Sequence, residues 1–107
     1  MATFEEWKKL DLRTARVIEA RPHPNADRLL VIDVDLGPLG TRQIIAGIRP
    51  FYAPEALAGR TVVVIANLEP AVIRGVTSHG MLLAVKDGES LAILTPDRET
   101  PPGLPVS

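Results

Sequence analysis

The sequence predicts an all-β domain: about five short strands closed into a small barrel, with a short helix before the first strand and another after the third. Three observations carry this. The apolar runs, such as Thr61 to Ala66 and Met81 to Val85, are rich in Val, Ile and Leu and too short for a typical helix. The clearest run, Leu29 to Leu36, alternates: Leu30, Ile32, Val34 and Leu36 point one way, and Leu29, Val31, Asp33 and Asp35 the other. Gly, Pro, Asn and Asp punctuate the chain between runs, as tight turns require.

Composition bounds the reading. At 107 residues the chain is long enough for one core and not two. Hydrophobic residues make up 46% and charged residues 23%, an ordinary soluble balance. No apolar run approaches the ~20 residues of a membrane helix, and the N-terminus lacks the basic-then-apolar pattern of a secretory signal. The absence of cysteine excludes disulfides, zinc–thiolate sites and thiol catalysis, and fits a cytoplasmic protein. The net charge of −1 advertises no polyanion partner. Nine of the twelve basic residues are Arg, whose planar fork suits phosphate. A genome or growth temperature that favours Arg explains the bias equally well.

In chain order, Thr3 to Glu6 matches a capping box, and Phe4, Trp7 and Leu10 follow on one face of a short helix. That face either lids the domain's own core or packs on another subunit. The second is favoured, because a two-turn helix carrying Phe and Trp is marginal alone. Leu12 to Ala20 reads as the first strand, with Arg13 and Arg16 on opposite faces. Arg21 to Asp27 reads as a loop in which Asn25 and Asp27 cap the turn. His23 and Asp27 lack the further ligands a metal site needs, so no metal is expected. Gly37 to Gly40 connects Leu29–Leu36 to a return strand, Arg42 to Ala46. Asp33 and Asp35 share a face but have no nucleophile or acid partner nearby, so they read as a solvated face. Pro54 opens a short helix that Gly59 ends. Thr61 to Asn67, Met81 to Val85 and Leu91 to Leu94 are the remaining strands, with a turn at Asp87 and Gly88. The proline-rich tail, Glu99 to Ser107, is extended or covers an edge. This pattern suits a five-stranded OB-fold barrel, a scaffold that binds oligonucleotides.

The stretch Asn67 to Ala84 holds the candidate site. Between its flanking apolar runs, Asn67, Arg74, Ser78 and His79 are spaced by Pro70, Gly75 and Gly80. Short polar groups on tight turns beside a rigid sheet are where binding sites are built. Ser78 and His79 are adjacent, so their side chains diverge and form no nucleophile–base pair. No Gly-rich phosphate loop ending in Lys is present, and no cofactor or enzyme activity is expected.

Several segments together resemble one family. They are Asp11 to Ala20, His23 to Leu30, Arg42 to Gly47, Tyr52 to Leu57, Val64 to Leu68 and Ile73 to Leu83. They are similar to the tRNA-binding OB-fold domain found in bacterial methionyl-tRNA synthetases, the phenylalanyl-tRNA synthetase β subunit and EMAP-II-type cytokine precursors, and as free-standing proteins. The resemblance runs from about Phe4 to Arg98 and implies a free-standing member. Two kinds of these are known, structure-specific tRNA-binding proteins and CsaA-type export chaperones. Both form homodimers through the N-terminal helix and the C-terminal segment, which places Phe4, Trp7 and Leu10 in a dimer interface. The Ile73-to-Gly75 and Gly80–Met81 wording is closer to the tRNA-binding branch.

The resemblance implies a docking surface for the folded tRNA body at Asn67, Arg74, Ser78 and Met81. Arg74 can fork onto a phosphate. Asn67 and Ser78 can bond sugar or phosphate oxygens, or alternatively cap turns. Met81 either packs on a ribose or belongs to the barrel core. Arg13 and Arg42 would extend the phosphate contacts. His79, where the family often has Gln, could bond phosphate when protonated. One departure matters: the segment after Asn67 is usually basic, and here it reads Glu69-Pro70-Ala71-Val72. That shrinks the salt-dependent share of affinity. Outside the N-terminal helix the aromatics are Phe51 and Tyr52, so shape recognition is expected over stacking of single strands.

The expectation is therefore a non-catalytic, cytoplasmic homodimer that binds folded tRNA by shape, without membrane contact. The rival is a chaperone for unfolded polypeptide, with an apolar groove lined by Phe51, Tyr52 and Leu57. A third reading is an adaptor that docks onto an aminoacyl-tRNA synthetase.

Overall fold

The longest strand, β1 (Leu12–Pro22), is long enough to serve two neighbours. Its first half pairs antiparallel with β4 (Thr61–Ile65), from Leu12 opposite Ile65 to Arg16 opposite Thr61. Its second half pairs with β2 (Leu30–Asp35), and a register shift between Val17 and Glu19 bends it from one partner to the other. The strand runs past the expected end at Ala20, because Arg21 and Pro22 still pair with Val31 and Leu30. Pro22, which has no N–H to offer, takes the last position, where a missing donor is tolerated.

The computed structural model describes residues 1–107. A 3₁₀ turn at Gly37–Leu39 carries β2 into β3 (Thr41–Ala46). Helix α1 (Phe4–Trp7) precedes β1, and its capping box forms as the sequence predicts. Helix α2 (Pro54–Leu57) follows β3 and starts at the proline. The five-stranded sheet runs β3-β2-β1-β4-β7, where β7 is Met81–Leu82. It curls into a nearly closed barrel consistent with an OB fold. Leu30, Ile32, Val34 and Leu36 all face inward and are fully buried with Val17, Ile44, Leu57, Val62 and Val64. At about 25 cal/mol per Å² of apolar surface, this interior supplies the main drive for folding.

Two features differ from the expectation. The stretch after Asn67, read in the sequence as polar groups on tight turns, contains two short strands. It forms a hairpin of β5 (Ala71–Ile73) and β6 (Val76–Ser78) around Arg74 and Gly75. Both turn residues have positive φ, 53° and 89°, the conformation of a two-residue turn that matches strand twist. The run from Met81 to Val85 is broken at Leu83. Leu83 donates to Val63 O at 3.0 Å, its own carbonyl accepts from Leu94 N at 3.1 Å, and a second hairpin, β8 (Ala84–Asp87) with β9 (Ser90–Ile93), begins.

The tail covers an edge, as expected. Gly103 N and Val106 N donate to Thr14 O and Leu12 O, and Leu104 O accepts from Thr14 N at 2.9 Å. These bonds occupy the half of β1 that β2 leaves unpaired.

Candidate nucleic-acid interface

The barrel seam lies where β3 meets the segment entering β7. One backbone bond crosses it, from His79 N to Gln43 O at 2.8 Å. The next ladder position is filled by a side chain: Ser78 Oγ accepts from Ile45 N at 2.9 Å and donates to Gly80 O at 3.1 Å. Gly80 then passes so close to the sheet that a Cβ would stand 2.9 Å from Ile65 O, which only glycine avoids. Ser78 is 3% exposed and both its hydrogen-bonding roles are filled inside the domain. The hydroxyl expected to contact tRNA at Ser78 is thus engaged inside the domain, where it closes the barrel.

Two more expected contacts have internal partners. Asn67 spends its amide on the N-terminal arm, accepting from Asp11 N at 2.8 Å and donating to Lys9 O at 2.7 Å. Arg13 lies away from the seam. Its Nε donates to the Asp11 carboxylate at 3.0 Å and its Nη1 to Gly103 O at 2.9 Å, so it pins the tail. The guanidinium expected to extend a phosphate surface at Arg13 is thus already engaged inside the domain.

Four expected residues remain presented to solvent. Arg42 is half-buried and anchored by Nη1 to Ala66 O, and no carboxylate pairs with it. Met81 pairs with Ile65 in register and is 50% exposed, so it is not core. His79 is exposed beside the seam, and Arg74 is exposed at the hairpin tip. The end of β4 thus gathers Arg42, Asn67 and Met81, the hairpin carries Arg74 outward at its tip, and His79 follows the hairpin at the seam.

The hairpin is fixed from both sides. Gln43 Nε2 donates to Thr77 O at 2.9 Å, and Gln43 Oε1 accepts from Arg21 Nη2 at 3.2 Å. Arg21 also pairs with Asp33 at 2.7 Å, so Asp33 is a structural ion-pair partner. On the other side the loop after β1 meets the tip. The Arg74 guanidinium donates to Asn25 O through Nη2 at 3.0 Å and Nε at 3.3 Å, and Ile73 O lies 2.9 Å from His23 Nε2. Two cations not singled out in the sequence belong to segments that touch this surface. Lys9 is brought to Asn67 by the bond above, and Arg28 belongs to the loop against the tip; both are exposed and in no salt bridge. Nothing local in the sequence marks them, since their segments reach this surface through the bonds of Asn67 and Arg74.

Phe51 and Tyr52 offer no stacking platform. Both are half-buried, and the Tyr52 hydroxyl accepts from Ile93 N at 3.1 Å while the Arg60 guanidinium stands 5.9 Å from its ring. Leu57 is fully buried, so the groove expected from Phe51, Tyr52 and Leu57 does not exist. An apolar groove of about 500 Å³ lies elsewhere, against the tail, lined by Leu12, Val63, Leu83, Leu94, Leu104 and Val106. Phe4, 70% exposed, and Trp7, 39% exposed, stand on α1 just before this region, with Leu10 exposed after them.

A family model described as "Putative tRNA binding domain" matches residues 12–105. The chain is 55% identical over 104 residues to methionine–tRNA ligase of Thermococcus kodakarensis, covering 97% of this chain and 14% of that protein. Among solved structures, chaperone CsaA of Bacillus anthracis superposes with a TM-score of 0.90 at 33% identity, covering 100% of this chain and 99% of the other. A MetRS-related protein of Pyrococcus horikoshii superposes with a TM-score of 0.92 at 27% identity, covering 100% and 98%.

Proposed function

The chain belongs to the tRNA-binding domain family, and from that premise we propose that it binds the folded body of tRNA by shape, without catalysis, as a cytoplasmic homodimer. The observation that carries the reading is the braced hairpin. It presents Arg74 outward, with His79, Arg42 and the exposed Met81 at its base. A fixed arginine meets a phosphate at little cost in side-chain order. No free aromatic lies on this surface, which favours contacts to phosphates and 2′-hydroxyls over stacking of single bases. Lys9 and Arg28 replace part of the positive charge that Glu69 to Val72 lacks. Dimerisation through Phe4, Trp7 and Leu10, with the apolar groove as the opposing surface, places two such sites on one particle, and avidity then offsets weak single sites.

The apolar groove favours a second reading, the holding of unfolded or export-bound polypeptide. Its likeness to chaperone CsaA is in keeping with that role. Docking onto an aminoacyl-tRNA synthetase is a third use of the same surfaces. A titration with mixed folded tRNA at several salt concentrations separates these readings, with unstructured RNA and a reduced unfolded protein as competitors. Shape-specific binding gives an affinity that falls with salt and resists unstructured RNA. No tRNA binding at low salt, with the unfolded protein bound, gives the groove the principal role.

A further inference from the structure

We propose that His23 is a positioning residue: its neutral ring locks the Arg74 turn onto the loop after β1, and protonation releases it. The effect on binding rests on the tRNA reading of the hairpin given above.

His23 is 3% exposed. Its Nδ1 lies 2.9 Å from Asn25 N, and a backbone N–H can only donate, so Nδ1 is an unprotonated acceptor. Its Nε2 lies 2.9 Å from Ile73 O, which can only accept, so Nε2 carries the proton. The two neighbours therefore select one neutral tautomer. A second proton at Nδ1 would set N–H against N–H in a buried site.

Asn25 passes the effect on. Its amide is held by the ring, its carbonyl receives the Arg74 guanidinium, and its Nδ2 reaches Arg74 O at 3.4 Å. Arg74 sits at a φ of 53°, unfavourable for a side chain with a Cβ, so the turn depends on these contacts. An imidazolium here finds no free carboxylate across the contact. The hairpin residues 71–78 carry Arg74 and no acid, and Asp33 and Glu19 are taken by Arg21. In its own loop Asp27 and Arg28 are both exposed. A buried unpaired charge is costly, so the loop opens instead.

The sign follows. The lock exists while the ring is neutral and is lost when Nδ1 takes a second proton, so acidification works against it. Polyanion binding ordinarily strengthens on acidification, and His79 is a second, exposed imidazole beside the hairpin. The test therefore uses a His79→Gln background.

Ring-nitrogen NMR on the labelled protein should show the Nε2–H tautomer. The Asn25 and β5–β6 amide protection factors, measured without RNA, should fall between about pH 7.5 and about pH 5.5. Over the same interval tRNA affinity should fall about threefold to tenfold, the loss of one hydrogen bond. His23→Asn keeps an acceptor for Asn25 and cannot titrate, so its affinity at the two pH values should agree within about twofold. His23→Gln, which reaches Ile73 O but leaves Asn25 unheld, should not restore full affinity at the higher pH. An Nδ1–H tautomer, or protection factors that ignore pH, overturns the lock. Protection lost with unchanged tRNA affinity leaves the lock standing and removes the hairpin from the tRNA surface.

Discussion

The Ser78 hydroxyl stands 2.9 Å from the Ile45 backbone nitrogen and does the work of a strand at the barrel seam. The sheet has β3 at one edge and β7 at the other, and neither is long enough to zip the two together. One serine supplies the missing acceptor. Its own proton goes to Gly80 O, at the turn that starts β7.

Ser78→Ala should therefore destabilise the domain without touching the proposed tRNA surface. It leaves the Ile45 N–H buried and unpaired, a loss of about 1–3 kcal/mol. Urea denaturation should show the midpoint fall with an unchanged slope. At temperatures where the variant stays folded, tRNA affinity should match the parent. A large affinity loss in the folded variant would return Ser78 to the contact surface.

Asn67→Ala should act through the N-terminal arm. Both of its hydrogen bonds end on backbone between Lys9 and Asp11, and both are exposed, so each is worth about 0.5–1 kcal/mol. Amide exchange at Asp11 and through α1 should quicken, with little change in the barrel strands. Protection lost uniformly across the barrel would contradict the assignment of Asn67 to the arm.

What was legible in the sequence was what short-range periodicity encodes. The alternation from Leu30 to Leu36 put the right residues inside because a strand has period two. The Thr3–Glu6 box was legible because both partners lie within one turn. The β5–β6 hairpin was hidden because its turn is Arg74-Gly75, and arginine is not a usual residue at positive φ. The site was half legible for a related reason. Arg74 and Met81 are on the surface because nothing distant claims them fully. Ser78, Asn67 and Arg13 look equally available in the sequence, yet their partners lie 33, 56 and 90 residues away. Polar residue type states a capacity to bond, and only the fold states with what.

Arg74→Gly separates binding from stability. Glycine adopts the positive φ freely, and that gain of about 1 kcal/mol offsets the lost bonds to Asn25 O. Thermal stability should stay close to the parent. Affinity for tRNA should fall, and the slope of log affinity against log salt should shrink by about 0.9, one phosphate contact. Arg74→Lys should keep the slope and lose part of the affinity, because the planar fork is gone. An unchanged slope for Arg74→Gly would place the phosphate contacts elsewhere on the domain.

The exposed face of α1 gives the last prediction. Phe4 and Trp7 expose large apolar surfaces on a four-residue helix that buries none of its own residues in the domain. A helix this short gains its stability from what it packs against, and in the proposed dimer that surface is a second copy. Phe4→Ser with Trp7→Ser should therefore convert the dimer to monomer in sedimentation, while the barrel keeps its urea slope per chain. The monomer retains Arg42, Arg74 and Met81, so single-site contacts survive. Its affinity for tRNA should nevertheless drop by about tenfold to a hundredfold if both copies grip one tRNA, because the second contact is no longer intramolecular. A monomer that binds tRNA as tightly as the parent would mean that each copy holds its own tRNA, and dimerisation would then serve the groove beside the tail.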